Sequence, residues 1–164
     1  MLGLQGALSR LDEAQWHQSA TPHGAVKWLP LWLFSDTGLW IGLDRQARWV
    51  VGRPGSMIVQ DAPPLSPGWL PMLDHDELTA REELTFSADK YGLPAEPILE
   101  SLPIDDVIAL ALKSQSAHWT ECALTWLEAR NVRDDIREML PAVASSKAVS
   151  QRARQIAKRL MKQG

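Results

Sequence analysis

Residues 26–60 read VKWLPLWLFSDTGLWIGLDRQARWVVGRPGSMIVQ, and this stretch decides the fold class. Four short runs rich in Trp, Val, Ile and Leu, at 26–34, 39–43, 48–51 and 56–60, alternate with turn signals, which is the pattern of an antiparallel meander. Asp36 and Gly38 mark one tight turn and 44–47 is a four-residue connection. Pro54 before Gly55 suits a type II turn. Pro30 lies inside the first run and has no N–H for a ladder bond, so that strand is an edge or carries a bulge there. Both of its faces are apolar: Val26, Trp28, Trp32 and Phe34 on one, Leu29, Leu31 and Leu33 on the other. Such a strand is buried on both sides or offers a sticky face to a partner.

Working outward, residues 2–16 carry Leu4, Ala7, Leu8, Leu11 and Ala14 at helical spacing, so an N-terminal helix is expected, with a loop over 19–24. Residues 61–73 hold Pro63, Pro64, Pro67 and Pro71 and read as an ordered loop leaving the sheet. Beyond it the chain reads as helical. A helix opens near Asp74 or Thr79, each followed three residues later by Glu, and ends at Tyr91 with Gly92 as its cap. A short turn over 96–102 precedes a helix that starts at Pro103, with Asp105 and Asp106 at its positive end. The clearest helix is 118–130, where Trp119, Cys122, Ala123, Trp126 and Leu127 form one stripe expected to be buried. Helices over 131–145, broken or tilted at Pro141, and over 149–162 complete the chain. The expected fold is α+β: a helix, a meander of three to four strands, and a C-terminal helical bundle packed on it. At 164 residues a single domain is expected.

Composition narrows the function classes. Hydrophobic residues make up 45% and charged residues 23%, as in an ordinary globular chain, which excludes a disordered or collagen-like one. No run approaches the ~18 apolar residues of a spanning helix. Residues 1–12 lack a signal-peptide layout, and the one cysteine, Cys122, forms no internal disulfide, so a cytoplasmic protein is expected.

Recognisable chemistry is sparse. There is no Gly-x-Ser-x-Gly elbow, no phosphate loop and no dinucleotide fingerprint. Cys122, on the apolar stripe, reads as a small hydrophobe rather than a nucleophile. Asp74-His75-Asp76-Glu77 offers oxygen ligands for a metal, but acids also gather at helix starts because the backbone dipole favours them. The second explanation is preferred, and no metal or cofactor is expected. The same dipole accounts for Asp105-Asp106 and Asp134-Asp135.

The residues His118-Trp-Thr-Glu-Cys-Ala-Leu-Thr-Trp-Leu127, together with Gln151-Arg-Ala-Arg154 and Ala157-Lys-Arg-Leu160, resemble the helical ends of bacterial immunity proteins of contact-dependent and type VI secretion systems. That resemblance implies a cytosolic protein without enzymatic activity that binds and blocks one toxin. Many such toxins are basic.

Charge placement fits a binding role. The net charge is −3, yet residues 61–106 hold eleven acids against two bases, while 147–164 hold six bases and no acid. An acidic surface steers a basic partner. The expected contact set is Trp69 as apolar anchor with Asp74, Asp76, Glu77, Glu82 and Glu83. Two alternatives stand beside it: a small enzyme without a familiar motif, and a nucleic-acid-binding protein using the bases of the last helix, Arg152, Arg154, Lys158, Arg159 and Lys162.

Overall fold

A computed structural model describes residues 2–164. The chain divides into two compact units: one runs to Met72 and takes in Glu77–Leu102, the other comprises Leu73–Asp76 and Pro103–Gly164. The α+β class is as the sequence predicts, but the sheet has five strands rather than three or four. Among the described residues, no helix is long and apolar enough to cross a membrane.

In the first unit, α1 (Leu2–Leu8) buries Leu4 and Leu8 and is followed by a 3-10 turn over Glu13–Gln15. The helix expected to reach residue 16 stops eight residues short. Gly3 and Gly6 weaken it, and the Gln15 side chain draws the backbone at Asp12 into a new turn by accepting its N–H at 3.0 Å. The strands are β1 (His17–Thr21), β2 (Gly24–Phe34), β3 (Leu39–Asp44), β4 (Trp49–Arg53) and β5 (Ser56–Gln60), each antiparallel to the next in chain order. The three expected turns all fall between strands. β1 is the strand the sequence does not predict, since the loop expected over 19–24 covers most of it.

Pro30 has the predicted consequence. The β2–β3 register slips between Pro30 and Trp32, leaving Leu31 as the extra residue of a bulge. The freed Leu31 carbonyl accepts the Ser87 hydroxyl. Opposite Pro30 stands Gly42, where an added Cβ would sit 2.1 Å from the Leu29 carbonyl oxygen, so only glycine fits. From Trp28 on, both faces of β2 are buried through Trp28, Leu29, Leu31, Trp32 and Phe34, and Leu33, at 39% exposure, is the exposed residue of that stretch. The sheet curls until β1 and β5 approach each other. There the Trp28 indole donates to the Ser19 hydroxyl at 2.9 Å, and that hydroxyl donates to the Pro54 carbonyl. At the β3–β4 turn the buried Asp44 carboxylate accepts the N–H groups of Gln46 and Arg48, each at 2.9 Å, and the Arg48 guanidinium at 2.7 Å.

Two helices expected in a helical part belong instead with the sheet. In α2 (Glu77–Tyr91), Ala80, Leu84 and Ala88 recur every four residues and are buried. Small residues let the helix lie close to β2, where Ser87 meets the bulge. The helix ends as predicted: Gly92, at φ +66°, donates to Asp89 and Leu93 donates to Ala88, closing a Schellman cap. In α3 (Ala95–Glu100), Ile98 is buried, and beyond its end the Ser101 carbonyl accepts the Trp49 indole at 3.0 Å.

The second unit contains α4 (Ile104–Lys113), α5 (Ala117–Leu127), α6 (Asp134–Arg137), α7 (Leu140–Ser145) and α8 (Gln151–Met161). Ser116 caps α5 and Ser150 caps α8 by accepting the N–H of Trp119 and Ala153. The helix expected over 131–145, broken or tilted at Pro141, is broken into two, with Pro141 in the first turn of α7, where proline is favoured. The acids at the helix starts hold arginines: Asp106 and Asp135 bind Arg133 at 2.9 and 2.6 Å.

Candidate functional site

The expected contact set is divided between the two units. Trp69 has no exposed surface. It packs edge-on against Trp49 with ring centres 5.6 Å apart, because the 3-10 segment Pro67–Asp74 turns it inward. It is a core residue, and its expected role as a surface anchor is corrected. Glu82 and Glu83 are exposed on α2 in the first unit, and Glu77 there is half-buried and pairs with Arg81 at 3.2 Å. Asp74 and Asp76 are exposed and belong to the second unit.

Asp74 finds unexpected company. The Trp126 indole donates to the His75 carbonyl at 2.8 Å and so holds the segment Leu73–Asp76 against α5. On α5 the buried residues are Thr120, Ala123, Leu124, Trp126 and Leu127. The expected stripe is therefore rotated, and Trp119 and Cys122 are half-buried at its margin. His118 and Cys122, one turn apart, share that marginal face. There the His118 Nε2 lies 2.7 Å from the Asp74 Oδ1 and 3.8 Å from the Cys122 Sγ, and that sulfur lies 3.9 Å from the same carboxylate oxygen. The His118 ring is braced edge-on by Trp119 at 4.6 Å.

This is not the geometry of a cysteine nucleophile. A base that relays a proton uses one ring nitrogen for the nucleophile and the other for its orienting carboxylate. Here a single nitrogen faces both. Burial pushes the Cys122 thiol up, and the carboxylates of Asp74 and Glu121 push it further, which disfavours the thiolate. What the three atoms share is a common focus, since all lie within 4.8 Å of one another.

A cavity of about 200 Å³ adjoins this cluster, with His118, Glu121, Cys122, Ser150 and Arg152 among its walls. Glu121 accepts the Ser150 N–H at 3.0 Å and so links α5 to the start of α8. Hydrogen bonds from Ser150 hold the Glu121 carboxyl below its ordinary range. The sequence alone does not reveal the cluster, because Cys122 reads there as a small hydrophobe on an apolar stripe and Asp74 as an acid at a helix start. The available signal was His118 four residues before Cys122 on an amphipathic helix.

The exposed face of α2 also differs from expectation. Leu78 and Phe86 are 65% and 72% exposed, and with Glu82 they form a row at four-residue spacing. Glu83 and Asp89 flank that row and are exposed. Of the basic residues on α8, Arg154 donates to the carbonyls of Ser146 and Val149 and Arg159 pairs with Glu128, so both are engaged within the fold.

Comparison of the chain with family models, with curated proteins and with solved structures finds no match in any of the three.

Proposed function

We propose that this is a non-enzymatic binding protein that captures a basic protein partner on the outward face of α2. The observation that carries the reading is Phe86, a large aromatic ring 72% exposed on a helix whose neighbouring surface is acidic. An exposed Phe gains roughly 2–3 kcal/mol when a partner covers it. Aromatic anchors ringed by polar residues dominate many interfaces. Glu82, Glu83 and Asp89 supply the field that steers a basic surface toward that anchor. The resemblance of 118–160 to immunity proteins supports a secreted toxin as the partner and neutralisation as the outcome, in the cytoplasm. Capture through this face assigns no chemistry to the chain.

The test uses the full chain as bait in cells that produce it, beside two variants, Phe86→Asp and the double reversal Glu82→Lys with Glu83→Lys. The expected result is a basic protein retained by the wild type, lost from Phe86→Asp and held more weakly by the double reversal, with an association rate that falls with salt for the wild type and is slower and less salt-dependent for the double reversal. Coexpression with the captured protein should relieve its toxicity, and Phe86→Asp should not. A partner held equally by all three baits refutes the α2 face.

A further inference from the structure

We propose that Asp74, His118 and Cys122 form a binding site for one divalent transition-metal ion, zinc by its donor set. The three donors are of three kinds, a carboxylate oxygen, an imidazole nitrogen and a sulfur, brought together from positions up to 48 residues apart. Their separations of 2.7, 3.8 and 3.9 Å define a triangle whose equidistant point lies about 2.1 Å from each atom. Zinc bonds to oxygen, nitrogen and sulfur run from about 2.0 to 2.3 Å. The distances suit the ion, and tetrahedral angles require the His118–Asp74 pair, in contact at 2.7 Å, to open as the ion enters.

The Cys122 thiol donates weakly to the same Asp74 oxygen that meets His118, so the three donors face one point before any ion is bound. The donor set selects the ion: calcium and magnesium take oxygen ligands, whereas sulfur with imidazole suits zinc. As the metal–sulfur bond forms, the thiol proton leaves to solvent. Three protein ligands leave a fourth position open, and the exposed side chains of His118 and Asp74 and the adjoining cavity give a water access to it. Two contacts fix the frame: the Trp126 indole on the His75 carbonyl, and the Ser116 cap on α5.

The experiment uses the untagged full chain, dialysed against chelator and kept reduced, and titrated with cobalt(II) as a spectroscopic stand-in for zinc. One equivalent should bind and give a thiolate-to-cobalt charge-transfer band, and zinc should displace it. His118→Ala and Asp74→Asn should each weaken cobalt binding by about a hundredfold or more, and Cys122→Ser should abolish the band. Asp76→Asn should bind like the wild type. A band that survives both His118→Ala and Asp74→Asn would mean a lone cysteine holding the ion and would overturn the site. So would binding lost in Asp76→Asn alone, or no band at saturating cobalt. Circular dichroism of each variant separates a lost ligand from a lost fold.

Discussion

The helices α2 and α5 use their apolar residues in opposite ways. α2 buries Ala80, Leu84 and Ala88 and shows Leu78 and Phe86 to solvent. α5 buries Trp126, Leu124 and Leu127, and shows His118 and Cys122 at the margin. In α2 the small residues face inward because the helix lies close to a bulged strand. In α5 the large residues face inward, since one of them also has a hydrogen bond to make: the Trp126 indole reaches the His75 carbonyl. Size does not decide which face is buried. The neighbouring element does, and residues displaced from the buried face become the candidates for function.

The two aromatics give the sharpest way to break this contrast. Trp126→Ala should lower the unfolding free energy by roughly 3–5 kcal/mol, as truncation of a buried ring does, measured by denaturant titration. A loss below about 1 kcal/mol would mean that α5 is not anchored through that ring. A smaller effect is expected at the link between α5 and α8. The folded-state pKa of Glu121 is depressed, so its contribution is present above the ordinary carboxylate range and is lost as pH falls through the lowered value. Glu121→Gln should therefore be less stable than the wild type at neutral pH by under about 1 kcal/mol, because its hydrogen bond to Ser150 lies at the surface. The gap should close in acid; a gap independent of pH would assign the effect to packing. The smallest effect is expected at the other aromatic. Phe86→Ser should change stability by no more than about 0.5 kcal/mol, the usual range for an exposed position, when measured by the same titration. A loss of 2 kcal/mol or more, on the order of a buried ring's contribution, would show that Phe86 is a core residue and remove it as an anchor.

The parts of the fold legible in the sequence are those where local chemistry and tertiary structure agree. The turns at 35–38, 44–47 and 54–55, the bulge demanded by Pro30 and the cap at Gly92 are set by one or two residues each. β1 was not legible because His17–Thr21 has no large apolar residue and buries only Ser19; it pairs because Trp28 and Pro54 engage that hydroxyl. Trp69 was misplaced because a Pro-rich segment gives no periodicity from which to read a face. The cluster at Asp74 could not be read as a whole, since His118 is 44 residues away. Its α5 half, His118 and Cys122, was visible in the spacing.

The approach of β1 and β5 has a consequence for how the protein behaves in a crowd. An open meander presents two bare rows of backbone N–H and C=O groups, each a template for another chain. A sheet this rich in Trp, Val and Ile would be a strong template. Here the curl turns the first and last strands toward each other, and the outermost strand is polar, with the Ser19 hydroxyl fastening one edge to the turn of the other. The least hydrophobic strand thus acts as a guard. Without it, the backbone of β2 from Gly24 to Trp28 would be free to recruit a second molecule, and growth into fibres would compete with folding.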